Sequence, residues 1–299
     1  AQDLAGLWTV EKLSDHLSDL ADLLVQATLD LVWDNLPGRH RAIPAFAVVA
    51  YGKLGGKELG YASDLDIVFL YDDPHPDAQE IYARLGKRLN TWMGTLTSAG
   101  ILYETDLRLR PDGASGLLVS SIEAFDDYQH HHAWTWEHQA ITRARYSCGD
   151  QAVGAKFDAI RDAILRLPRE RTKLRADVLE MRQKMRDGHA NTSGLFDLKH
   201  DAGGLVDVEF AMQYLILAYS AEHPELTANR GNIALLGLAG EIGLISADVA
   251  GAAADAYREL RRRQHQVKLQ GAEHARLPAA EMRGEIMAVT ALWQAIFAE

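Results

Sequence analysis

The sequence predicts an α+β protein: a domain with a small mixed sheet over residues 1–150, then a helical bundle over 151–299. Three observations predict it. Two short apolar runs, 46–51 and 65–71, flank a loop carrying Gly52, Gly55, Gly56 and Gly60, which is the pattern of strand, turn, strand. Residues 101–110 alternate apolar and charged as a third strand would. Beyond Asp150 strand signals almost vanish and apolar residues recur at helical spacing, best in Leu205, Val208, Met212, Leu215 and Tyr219.

Each element has its own signal. Leu13, Leu17, Leu20, Leu24 and Leu31 recur at helical spacing over 11–35, and Pro37 with Gly38 ends the run, so an amphipathic helix with a leucine stripe is expected there. After the two strands, Asp72, Asp73 and Pro74 signal a turn. A helix over 77–98 follows, with Ile81, Leu85, Leu89, Trp92 and Leu96 inward and Gly100 beyond its end. In the third strand Ile101, Tyr103, Thr105, Leu107 and Leu109 share one face, and Leu102, Glu104, Asp106, Arg108 and Arg110 the other. Asp112, Gly113 and Gly116 make a loop, 117–119 a short strand, and 121–146 reads as one helix capped by Ser120 or Ser121. Further helices are expected over 151–167, 169–187, 204–219, 231–239 and 248–270, with a last one ending in Trp293 and Phe297; 189–194 is a loop.

Composition bounds the function. At 299 residues with 47% hydrophobic content the chain is long enough for two domains. No apolar run reaches the ~20 residues that span a bilayer, and the start has no signal-peptide pattern, so no membrane is implied and a cytoplasmic location is expected. Cys148 is the one cysteine, which excludes an internal disulfide and fits a reducing compartment. The net charge of −11 disfavours nucleic acid as substrate, because phosphate-backbone binding draws its affinity from excess cations. The first residue is not Met, so a fragment of a longer protein is expected.

The chemistry centres on Asp64 and Asp66, which project from one face of the second strand with Leu65, Ile67 and Phe69 on the other. Two adjacent carboxylates repel unless a cation sits between them, so a divalent metal site is expected. An acid from the third strand, Asp106, completes it; three carboxylates can hold two Mg²⁺ ions whose remaining positions go to water and nucleotide phosphates. Gly52, Gly55 and Gly56 let the backbone approach a triphosphate, Lys53 adds charge, Ser63 precedes the acids, and Arg108 and Arg110 are placed to meet phosphate oxygens. An ordinary solvated edge strand is the other reading of 101–110.

Other conspicuous residues have ordinary explanations. His130, His131 and His132 cannot converge on one ion from consecutive helical positions, which point about 100° apart. Trp134 and Trp136 are expected in the core, and Arg143 and Arg145 in surface salt bridges. Asp207 and Glu209 suit an early helix turn by complementing its dipole, and the basic run from Arg258 to Lys268 suits a solvated face or an acidic partner.

These motifs resemble a known family. Gly52 and Lys53, a spacer ending in Ser63, then Asp64, Leu65 and Asp66 resemble the Gly-Ser, spacer, Asp-x-Asp signature of the DNA polymerase β nucleotidyltransferase superfamily, with Lys53 in place of its serine. The fuller string GKLGGKELGYASDLD at 52–66 resembles the bifunctional glutamine synthetase adenylyltransferase/adenylyl-removing family. DLRLRP at 106–111, WEHQA at 136–140 and FDLKHDAGGLVDVEF at 196–210 continue the likeness over nearly the whole chain. GLLVSS at 116–121 and WTWEHQA at 134–140 look more like the C-terminal, adenylylating half. The resemblance implies a polymerase β-like nucleotidyltransferase domain followed by a helical bundle. It implies ATP as substrate, Mg²⁺ held by Asp64, Asp66 and Asp106, and transfer of AMP to a tyrosine hydroxyl of glutamine synthetase, regulated by glutamine and the PII signal protein. Phosphorolytic deadenylylation by the same fold, a small-molecule nucleotidyltransferase and a non-catalytic regulatory module remain the alternatives.

Overall fold

The computed structural model describes residues 2–3, 5–228 and 231–298. The chain divides into two units, one running from Ser14 to Ile164, the other combining the residues up to Leu13 with those from Leu165 onward.

In the first unit, helix α1 (Val10–Asp34, of which all but the first turn belongs here) leads into β1 (Phe46–Ala50). Every β1 residue is buried, as expected of an apolar run covered on both faces. A single helical turn, α2 (Gly52–Gly55), separates it from β2 (Leu65–Tyr71), and the two strands pair antiparallel, Ala50 opposite Ile67. Next come α3 (Ala78–Gly94), β3 (Thr105–Asp106), β4 (Val119–Ser121), α4 (Ile122–His131), α5 (Thr135–Ile141), β5 (Arg145–Gly149) and α6 (Gln151–Leu165). The sheet is mixed: β1 pairs antiparallel with β2 and β5, while β3 and β4 lie parallel to β2 along its other edge. One face of β1 and β2 (Phe46, Val48, Leu65, Ile67, Phe69) packs into a core with Val25, Leu29 and Trp33 of α1 and Ile81, Tyr82 and Leu85 of α3. Tyr82 fixes that layer, stacking on Trp33 and donating its hydroxyl to Asp73 at 2.7 Å.

The second unit is helical: α7 (Arg171–Gly188), α8 (Leu205–Tyr219), α9 (Asn232–Glu241), α10 (Ala247–Leu269) and α11 (Arg283–Phe297). These follow the expected helices to within about two residues. A two-stranded ribbon, β6 (Phe196–Asp197) with β7 (Arg276–Leu277), breaks the expectation of a purely helical region. The ribbon is held by Asp197, which is buried, accepts from Lys199 N and His200 N at 3.0 Å each, and pairs with Arg276. Asp207 stands in the first turn of α8 as expected, and it is also buried, 2.6 Å from Arg182, and accepts from Gly203 N at 2.7 Å.

Several expectations are corrected. Of the expected α1 stripe Leu13 is buried and Leu17 packs against the core, but Leu20 and Leu31 are exposed, and the inward face continues through Ala21, Val25, Leu29, Val32 and Trp33. Leucine favours a helix on any face, so its spacing alone does not decide which face is buried. The third strand shrinks from ten residues to Thr105–Asp106. Asp106 Oδ1 accepts from Arg108 N at 2.8 Å, turning the chain, and Arg110 donates to the carbonyls of Leu107 (2.7 Å), Ala114 (3.1 Å) and Gly116 (3.3 Å). The helix expected over 121–146 is three elements. Its start is as expected, with Ser121 capping Ala124 N at 3.1 Å, but α4 stops at His131, Glu137 caps Trp134 N at 2.9 Å to begin α5, and β5 follows. Trp134 and Trp136 are both exposed rather than in the core, Trp134 by 70%. Cys148 is a buried free thiol that burial pushes up to about 12, which keeps it in the inert thiol form. No helix among the described residues is long and apolar enough to cross a membrane.

Candidate metal centre

Parallel pairing of β2 with β3 builds the site. The register sets Asp66 directly opposite Asp106, and Leu65 N donates to Glu104 O at 2.9 Å. Asp64 sits two residues before Asp66 on the same side of the extended chain. One carboxylate oxygen from each of Asp64, Asp66 and Asp106 lies within 4.8 Å of the others; Asp64 is exposed and the other two are half-buried. Three ionised carboxylates at that separation repel strongly without a cation. The donor set is all oxygen, which suits a hard cation such as Mg²⁺ or Mn²⁺ and not a thiolate or imidazole metal.

Gly52 is the residue of the glycine loop that touches this centre. Its φ of +53° is left-handed, and a Cβ there would lie 2.2 Å from Asp66 Oδ2. Tyr51 N donates to Asp66 O at 2.8 Å, so the start of α2 and the acidic strand are laced together. Lys53 is the next residue of that turn and is half-buried. Gly52→Ala is expected to displace the Asp66 carboxylate and cut the rate of the site's reaction about 100-fold, a shift of about an ångström being enough; turnover of the folded variant checks it.

The other glycines serve packing. A Cβ on Gly55 would lie 1.9 Å from Arg143 O, and one on Gly56 would lie 2.9 Å from the Arg143 guanidinium. Both are buried, and beneath them Arg143 pairs with Glu58 at 2.5 Å, side chains 8% and 4% exposed. Arg145 pairs with Asp22 at 2.8 Å, half-buried. Neither arginine forms the surface bridge expected of it. Nothing local in the sequence signals these pairs, since their partners stand 85 and 123 residues away.

Ser63 Oγ accepts from Gly60 N at 3.2 Å, holding the loop that enters the acidic strand. Arg108 lies on Asp106, its Nε 3.0 and 2.9 Å from the two carboxylate oxygens, and this bond holds the Asp106 carboxyl below the usual carboxylate range. The structure thus brings Asp64, Asp66, Asp106, Gly52 and Arg108 together. Gly55 and Gly56 instead pack against Arg143, and Arg110 is committed to loop carbonyls. Sequence reasoning missed Asn90, whose side-chain oxygen accepts from Thr105 Oγ1 and so ties α3 to the strand that carries Asp106.

The family model for glutamate-ammonia ligase adenylyltransferase matches residues 1–160. The chain belongs to that family. A second family model, PII-uridylyltransferase, matches residues 172–290. Relatives in the glutamate-ammonia ligase adenylyltransferase family include a protein of Aromatoleum aromaticum, 60% identical over 99% of this chain and 31% of its own length. One of Bordetella bronchiseptica is 59% identical over 99% of this chain and 32% of its own, and one of Neisseria meningitidis 53% identical over the whole chain and 33% of its own. All three are named bifunctional glutamine synthetase adenylyltransferase/adenylyl-removing enzyme. The chain spans about a third of the length of these relatives.

Proposed function

We propose that the chain is a magnesium-dependent nucleotidyltransferase of polymerase β-like fold that moves AMP from ATP to a tyrosine hydroxyl of glutamine synthetase and releases pyrophosphate. One observation carries this reading: the Asp64, Asp66 and Asp106 carboxylates converge beside Gly52 in a chain whose first 160 residues match the adenylyltransferase family. The relatives' names supply the acceptor protein.

Asp64, Asp66 and Asp106 would hold Mg²⁺, which when bound neutralises the triphosphate and acidifies the incoming hydroxyl. Gly52 leaves room for the nucleotide by keeping side-chain atoms away from Asp66, Lys53 and Arg108 offer positive charge to phosphate oxygens, and Ser63 holds the loop. Gly55, Gly56 and Arg110 support those contacts indirectly, through Arg143 and the loop carbonyls. The tyrosine oxygen attacks the α-phosphorus, the bond to the α,β-bridging oxygen breaks, and pyrophosphate leaves with that electron pair. Asp106 accepts the hydroxyl proton; for this the Arg108 guanidinium that holds its carboxyl low moves onto the phosphates. A catalytic domain over 1–150, a helical bundle over 151–299, and regulation by glutamine and the PII signal protein in the cytoplasm belong to the same reading, and the PII-uridylyltransferase match supports the PII part of it.

Incubating the chain with glutamine synthetase, ATP and Mg²⁺ is expected to add one AMP per synthetase subunit, read as a mass shift; an unmodified synthetase in the presence of folded chain overturns the proposal. The relatives' double name favours a second reading, phosphorolytic removal of AMP. Adenylylated synthetase and phosphate would then yield ADP.

A further inference from the structure

A cavity of about 460 Å³ opens on the Ser14–Ile164 unit between the chain just after α1 and the exposed side of α3. Its apolar lining comes from Leu36, Pro37 and Trp92, its charged lining from Arg84, Lys87 and Arg88. The three cations occupy i, i+3 and i+4 positions, so Arg84 shares one patch of helix surface with Lys87 and Arg88 and is repelled by both. Arg88 donates to Asn35 O at 3.1 Å. Arg84 and Lys87 are exposed and have no carboxylate partner among the described residues. Trp92, expected inward with Leu96, is instead 45% exposed, and Leu96, beyond the end of α3, is 79% exposed.

A groove with an exposed tryptophan beside uncompensated cations matches the chemistry of an interface centre, where Trp and Arg carry much of the binding energy. The same helix buttresses the metal centre, because the residue just before Thr91 and Trp92 is Asn90, the partner of Thr105 next to Asp106. We infer that the α3 groove is a docking site for an acidic surface segment of the protein substrate, its carboxylates meeting Arg84, Lys87 and Arg88 and an apolar side chain seated against Trp92. The inference rests on the reading of glutamine synthetase as substrate, and it supplies what that reading lacks: a hold on the protein apart from the reacting hydroxyl. Charge complementarity selects an acidic segment over a nucleic acid, because three cations in one helical patch are too few to track a phosphate backbone on a chain this acidic.

The test is a charge reversal, Arg84→Glu with Lys87→Glu, in the full chain. Binding to immobilised glutamine synthetase without ATP is expected to weaken at least about tenfold and to lose most of its salt dependence. In turnover the KM for glutamine synthetase rises while kcat and the KM for ATP stay within twofold. Trp92→Ala weakens binding without altering the salt dependence, and Arg84→Lys with Lys87→Arg binds as the wild type does, which separates loss of charge from loss of fold. Unchanged binding by the folded charge-reversal variant overturns the docking site while AMP transfer by the wild type keeps the substrate reading. Binding through the groove without AMP transfer overturns the substrate reading alone. A wild type that neither binds nor modifies the synthetase overturns both. If the charge reversal instead releases a single-stranded RNA probe and leaves synthetase binding intact, the groove tracks phosphates and the inference falls.

Discussion

Asp66→Asn is expected to lower AMP incorporation into glutamine synthetase by at least about 10²–10³-fold, the cost of removing one central electrostatic group from a site that stabilises developing charge. Asp66 stands in the middle of the centre: its register partner is Asp106, its Oδ2 faces Gly52, and its carbonyl receives Tyr51 N. The amide has nearly the carboxylate's shape, so the strand keeps its pairing and only the charge is lost. Stability is expected to hold or rise slightly, because relieving one of three mutually repelling carboxylates favours the metal-free fold. The two effects are separable. Radiolabelled AMP transfer reads the first, thermal unfolding without divalent cation the second, and calorimetric titration with Mn²⁺ should show the affinity falling in parallel with transfer. Wild-type transfer by Asp66→Asn would remove the carboxylate centre from the mechanism.

Asp64 and Asp66 were legible because a strand alternates its side chains, so two acids at i and i+2 face one way whatever the rest of the chain does. Asp106 was legible as chemistry but not as structure. Its alternating surroundings read as a ten-residue strand, yet only Thr105 and Asp106 pair with β2, because the side chains of Asp106 and Arg110 form hydrogen bonds to nearby backbone that turn the chain away. The break of 121–146 into α4, α5 and β5 was hidden for a related reason. Glu137 acts as a cap through a side-chain bond to Trp134 N, and no helical periodicity records that. The α1 stripe was legible only in part: Leu13 and Leu17 face inward, but Leu20 and Leu31 are exposed while Ser14, Ser18 and Ala21 are fully buried, because leucine suits any helix face. What escaped altogether were pairings across long sequence separation, Arg143 with Glu58, Arg145 with Asp22 and Arg182 with Asp207, since charge complementarity at a distance has no period.

The first of those pairs carries the other large effect. Arg143→Met or Glu58→Leu alone is expected to destabilise the Ser14–Ile164 unit by about 3–5 kcal/mol, because either change strands an ion in an interior that had hidden both. The double variant should recover most of that loss: a buried pair replaced by apolar groups of similar volume is often close to neutral. Urea unfolding of the four proteins measures the coupling, and strictly additive losses would show that the pair is not a unit. The consequence for the site follows from Gly55 and Gly56, whose missing side chains make room for the Arg143 carbonyl and guanidinium. Arg143 is therefore the floor on which the Gly52–Gly55 turn rests, and Gly52 is the residue of that turn that meets Asp66. A double variant that folds but carries methionine and leucine in the floor should regain stability without regaining full AMP transfer, since apolar side chains no longer fix the turn by charge and directed hydrogen bonds. Recovery of both together would mean that Arg143 and Glu58 only fill space; recovery of stability alone would place the buried pair among the groups that aim the metal centre.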